Sequence, residues 1–261
     1  MFIKILFTLA YGFLLVTHCF AENLTIAAAS DMTYCLPELV KEFQAANPNH
    51  EIKTLFGASG SLFAQIKNGA PFDVFMSADM QYPTELANVG AANKASLLPY
   101  ARGHLMLWTA NAAINLDMGL NGLKQDSIKR IAIANPETAP YGRAARAALQ
   151  QAKLWEDLTP LLVFGDNISQ TLQYAETGNA NVAIVSRSLV LSPKMVGKGH
   201  AQPIPESAYP PLNQGMVITN KGSGNSLASK FVKFMQSEKA KIILERFGFS
   251  IPNKQSNWLW I

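Results

Sequence analysis

The sequence predicts an α/β fold built on parallel sheets, and two observations carry the prediction. Short apolar runs alternate along the whole chain with segments of helical periodicity, strand–loop–helix after strand–loop–helix. The 261 residues are 49% apolar and 15% charged, enough to close a large core and too apolar for a disordered chain. No internal repeat or low-complexity tract interrupts the alternation.

Each element has its own signal. "LTIAAAS" (24–30) is a short apolar strand running into Ser30. "DMTYCLPELVKEFQAANP" then places Leu36, Leu39, Val40 and Phe43 at the i, i+3, i+4, i+7 spacing of an amphipathic helix, with Pro37 tolerable in its first turn. "HEIKTLFG" is a second strand, and "SLFAQIKNG" a helix with Leu62, Phe63 and Ile66 on one face and Gly69 as its stop. "FDVFMSAD" (72–79) is a third strand, again followed by a helical segment. Further on, "IKRIAIANP" is a strand, "YGRAARAALQQAKLW" an Ala-rich helix and "LTPLLVF" another apolar run. "NISQTLQYAETG" is a helix stopped at Gly178, "ANVAIVSRS" a buried strand, and the tail from Asn225 to Phe249 two short helices.

Two extended runs, "LPYARGHLMLW" near residue 103 and "YPPLNQGMVIT" near residue 213, are candidate crossovers. A lobe made of the N-terminal third plus the tail, with the middle of the chain inserted, would give a hinged two-lobe body.

The N-terminus has the layout of an export signal. Lys4 precedes the apolar run Ile5–Val16, and "THCFA" ends on Ala21, so cleavage is expected after residue 21. The run is short for a bilayer span. Cys19 raises a lipid anchor as the lesser reading, against which His18 stands where a small residue is needed. Without residues 1–21 the chain loses Lys4 and no acid, leaving 21 basic against 18 acidic residues, which is no nucleic-acid footprint. One cysteine, Cys35, would remain, so no internal disulfide forms and a small buried apolar role is expected. The four histidines are scattered, with none at metal-ligand spacing, and no cofactor is expected.

The chemistry gathers where strands hand over to helices: "AAASDM" with Ser30, "FGASGSL" with Ser59, "NPETAPYGRAA" with Tyr141 and "GDNISQT" with Ile168 and Ser169. In an α/β sheet such loops meet at the carboxyl ends of the strands, where ligands bind. Each presents the free N–H groups of a helix start, carrying roughly half a positive charge. Several pointed at one cleft make an anion site without any Lys or Arg. Taken singly, each loop also fits a plain helix cap. Ser59 as a nucleophile lacks the final glycine of G-x-S-x-G and a histidine in a recognisable triad context, and as a phosphate loop it lacks the Gly-Lys pair.

Together with "NGAPFDVFMSAD", "NVAIVSRS" and "ILERFGFSI", these stretches resemble the periplasmic molybdate-binding proteins of ABC importers, of the type II solute-binding superfamily, along nearly the whole mature chain. The resemblance implies a two-lobe periplasmic-binding-protein fold, hinged, with the ligand in the cleft between lobes. Its domains would be a signal peptide (1–21), lobe 1 (22–103 plus 213–261) and lobe 2 (104–212). It implies that Ser30 and Ser59 each donate a hydroxyl and a backbone N–H from lobe 1, and that Tyr141 and Ile168 donate backbone N–H groups from lobe 2. Some members place a ligand-binding tyrosine where this chain has Ser186, a shorter candidate; the phenol of Tyr141 is the alternative source. Asp31 and Arg143 flank the donors and are expected to point away. The implied ligand is molybdate or tungstate, the partners are ABC permease subunits, and the protein is expected to be a monomer in the periplasm and not an enzyme. A binding protein for another oxyanion such as sulfate, and an exported serine hydrolase using Ser59, are the rival readings.

Overall fold

The computed structural model describes residues 23–251. The expected export signal, Cys19 included, lies outside the described residues. The first ten elements are β1 (Asn23–Ala29), α1 (Leu36–Ala45), β2 (Glu51–Gly57), α2 (Ser59–Lys67), β3 (Val74–Ser77), α3 (Gln81–Asn88), β4 (Leu98–Gly103), β5 (Leu105–Thr109), β6 (Ile131–Ala134) and α4 (Pro140–Gln151). They are followed by α5 (Trp155–Leu158), β7 (Leu162–Gly165), α6 (Ile168–Glu176), β8 (Val182–Ser186), α7 (Arg187–Val190), β9 (His200–Pro203), β10 (Leu212–Ile218), α8 (Ser226–Phe234) and α9 (Glu238–Arg246).

The strands form two five-stranded sheets, in the orders β2-β1-β3-β10-β4 and β7-β6-β8-β5-β9. The chain passes from the first sheet to the second at His104, between β4 and β5, and returns before β10. Both sheets are mixed, which corrects the expectation of parallel sheets. β1 runs parallel to β2 and β3, and β6 parallel to β7 and β8, while β10 and β5 are antiparallel to both of their neighbours. The reversed strands are the two that arrive from the other sheet. A strand reached through a helix on its own sheet must run parallel, whereas one arriving from elsewhere is free of that constraint.

Side chains alternate across β1 as the pleat requires. Leu24, Ile26 and Ala28 face one core with Phe43 and Phe231, while Ala27 faces another with Leu62, Phe75 and Val217. The helix from Leu36 buries the four apolar residues its spacing marks, and Phe43 meets Phe231 edge to face at 5.3 Å between ring centroids. The second sheet has its own core around Trp108, Ile133, Leu172 and Ile184. Among the described residues no helix is long and apolar enough to cross a membrane.

Candidate functional site

Four strand ends supply the site. β1 ends at Ala29 and turns at once into a 3-10 turn, Ser30–Met32; β2, β6 and β7 lead into α2, α4 and α6. These ends face one another across the gap between the sheets. They enclose a small cavity walled by Ala29, Ser30, Asp31, Gly57, Ala58, Ser59, Ala78, Ala139, Pro140, Tyr141 and Ile168. Its volume is about 10 Å³, on the order of what one water molecule needs. All four main sequence candidates, Ser30, Ser59, Tyr141 and Ile168, are therefore in one wall, two from each sheet's side.

The donors follow from how the helices start. Ser59 is the first residue of α2 rather than its cap: the cap is Ala58, whose methyl offers no acceptor. The Ser59 hydroxyl oxygen instead accepts the buried N–H of Ala78 at 3.0 Å, so its own O–H remains to be donated. In α4, Pro140 fills the first position, where no N–H is needed, and leaves the N–H of Tyr141 in the first turn without an intrahelical acceptor. In α6, Asn167 caps the N–H groups of Ser169 and Gln170, both at 3.1 Å, and leaves that of Ile168 over. Ser30 is 3% exposed, and its hydroxyl is buried without any hydrogen-bond partner. A buried orphan hydroxyl costs about 1–3 kcal/mol unless something fills its bond. Three helix starts and that hydroxyl converge on a space of one small molecule, with no cationic side chain in the wall. Such a donor set is chemically suited to a compact anion, which its N–H and O–H groups could hold.

Arg143 points away. Its guanidinium pairs with Asp79, bonds the Tyr82 hydroxyl at 3.1 Å and lies over the Tyr82 ring. The phenol of Tyr141 is also committed elsewhere: it donates to Asp31 Oδ2 at 3.1 Å, and the Gln214 amide donates to both. Gly103 makes room for this, because a Cβ there would collide with the phenol oxygen. Ser186 is fully buried, outside the cavity wall; its hydroxyl is 3.1 Å from that of Ser188, which donates to the carbonyl of Asp31. Asp31 itself is in the wall, 1% exposed, and burial pushes its carboxyl up to about 7 despite the bonds from Gln214 and Tyr141.

Bonds that tie the two sides together were not readable from the sequence. Gly60 N–H donates to the Thr138 carbonyl at 2.8 Å, and Ser169 Oγ donates to the Ser30 carbonyl at 2.9 Å. Gln214 left a faint signal, as an amide inside the apolar run "LNQGMVI"; the others had none. A larger groove of about 420 Å³ lies alongside, lined by Thr33, Tyr34, Asn167, Ser169, Gln170 and Gln173 among others.

Residues 24–250 match the family model described as bacterial extracellular solute-binding protein. The chain belongs to that family. Relatives of this solute-binding protein include the molybdate-binding protein ModA of Azotobacter vinelandii, 34% identical over 231 residues that take in 88% of this chain and 91% of that one. The molybdate-binding protein ModA of Rhodobacter capsulatus is 36% identical, over 88% of each. The solved periplasmic molybdate-binding protein of Azotobacter vinelandii matches with a TM-score of 0.84 at 31% identity, over 88% of this chain and all of that one. The sulfate-binding protein SubI of Mycobacterium tuberculosis shares the fold alone, with a TM-score of 0.72 at 13% identity over 89% of this chain and 88% of that one.

Proposed function

We propose that this solute-binding protein captures molybdate, and tungstate with it, in the periplasm and delivers it as a monomer to the permease of an ABC importer. The observation that carries the reading is the buried, unpartnered hydroxyl of Ser30 beside the helix starts at Ser59, Tyr141 and Ile168. Molybdate is a dianion near neutral pH whose oxygens only accept, so N–H and O–H donors satisfy it fully. Phosphate still carries a proton there and asks for an acceptor, at a cost of about 1–3 kcal/mol when none is offered; the buried Asp31 carboxyl beside the site is held by Gln214 and Tyr141. Ser30 and Ser59 donate hydroxyl and amide from lobe 1 (22–103 plus 213–261), Tyr141 and Ile168 donate amides from lobe 2 (104–212), and Ser186 acts from behind through Ser188. Because the donors are split between lobes, the ligand favours the closed state by its differential affinity, and the permease reads closure.

The test is calorimetric titration of the mature protein with molybdate, tungstate, sulfate and phosphate. One-to-one binding of the first two with the others silent is expected. Comparable sulfate binding would replace the ligand and keep the mechanism, and silence from all four would overturn the reading.

A further inference from the structure

Asp31 is an anomaly in a pocket made for an anion. Asp31 lines the cavity next to Ser30, and its buried carboxyl has hydrogen bonds of an unusual kind. Gln214 and Tyr141 both donate to Oδ2, and both are neutral; Oδ1 has no hydrogen bond of good geometry, although the backbone N–H groups of Asp31 and Met32 lie near the carboxyl. A buried carboxylate is ordinarily paired with a cation. Here the packed elements offer neutral groups, paired cations, or in Arg187 an exposed cation that lies against Gly248. Tyr141 of α4, Tyr100 of β4 and Cys35 ahead of α1 are the titratable groups that face it, each held neutral by burial. Arg143, on the same turn of α4 as Tyr141, is paired with Asp79. From α7, which meets Asp31 through Ser188, Arg187 lies against Gly248. Ser169 of α6 is uncharged, and Lys53 on β2 is exposed and paired with Glu51.

We propose that Asp31 is a proton-coupled member of the oxyanion site: its carboxyl carries a proton whenever the dianion is bound, and loading takes that proton up from solution. The proton goes on Oδ1, since both bonds at Oδ2 are donated to it. Protonation removes a negative charge from the residue next to Ser30, close to a bound dianion in a medium that screens poorly. Burial already brings this carboxyl to about 7 with no anion beside it, so a second negative charge moves it further in the same direction. The sign follows: affinity falls as pH rises above neutrality, approaching about tenfold per pH unit once the free protein has lost the proton that the loaded protein keeps.

The inference rests on the oxyanion reading, and the experiment separates the two. The full mature chain is titrated with sodium molybdate from pH 6 to 8.5 in pairs of buffers of unlike ionisation enthalpy, which gives Kd and protons taken up together. Wild type is expected to take up few protons at pH 6 and about one at pH 8, with Asp31→Asn taking up none at either. Molybdate bound with no proton uptake across the range overturns the proposal and leaves the oxyanion site standing. Uptake undiminished in Asp31→Asn also overturns it. Failure of molybdate to bind at all overturns both. Should the variant not fold, the wild-type uptake and its pH slope decide alone.

Discussion

Replacing Ser59 by alanine separates the two duties of one hydroxyl. Its oxygen accepts the Ala78 N–H at 3.0 Å in a buried setting, and its hydrogen is left for the cavity. Alanine fits the same space and keeps the backbone N–H, so the loss is confined to those two bonds. The first loss orphans a buried N–H, at about 1–3 kcal/mol of folding free energy. It is present with and without ligand and therefore cancels in the affinity. The second loss is a hydrogen bond to a charged acceptor, about 1.5–3 kcal/mol, which corresponds to roughly 10- to 150-fold in Kd. Urea unfolding of the unliganded protein reads the first, and calorimetry with molybdate reads the second. A variant that is destabilised yet binds with unchanged Kd would show that the hydroxyl serves Ala78 alone, and the argument for Ser59 as a ligand donor would fail.

Three further predictions follow from the same geometry. Gly60→Ala puts a Cβ 2.5 Å from the Tyr82 hydroxyl and 2.8 Å from the Thr138 carbonyl, so it should hold the lobes apart. Affinity is expected to drop at least about tenfold, the equivalent of one lost interlobe hydrogen bond, and X-ray scattering with excess molybdate should show a wider particle than wild type. An unaltered Kd would mean that the contact is not needed for closure. Arg143→Ala leaves the largely buried Asp79 without its cation, in a place where burial already raises its carboxyl; ligand release in stopped flow should speed up by about two- to fivefold, a weak interlobe pair's worth. An unaltered release rate would exclude the pair as a latch. Asp31→Asn should change how stability depends on pH. The folded chain keeps a proton up to about pH 7 that the unfolded chain releases near 3.8, so wild-type stability falls with rising pH across that window and is flat above it. The variant lacks this slope and should gain up to about 4 kcal/mol on wild type between pH 4 and 7.5; parallel denaturation curves at the two pH values would refute the burial argument.

Local pattern made most of the first lobe and the helix starts legible. The i, i+3, i+4, i+7 series from Leu36 and the stop at Gly69 describe forces acting within ten residues, and those are visible in a linear string. The directions of β5 and β10 were not visible, because a strand's sense depends on where its chain comes from in space. Ser30, Ser59, Tyr141 and Ile168 were legible as strand-to-helix junctions, which topology brings to one end of a sheet. What escaped was the use of each side chain. That the phenol of Tyr141 turns to Asp31 and Gln214, and that Arg143 finds Asp79, are contacts between residues 64 to 183 positions apart. No periodicity records such distances.

The placement of β10 also has a consequence for how the protein comes into being. β3 is completed on its second side only by β10, with Met76 opposite Met216, whereas β5 through β9 are contiguous in the chain. The inserted half can therefore gather its contacts while the rest is still being made, and the first half must leave one strand edge bare until the chain is nearly finished. Pairings that distant form slowly because a long loop has to be closed before they repay it. A chain that cannot complete its first sheet until its last fifth has appeared stays unfolded for longer after synthesis, a property that would serve the proposed periplasmic role, in which the polypeptide crosses a membrane before it folds.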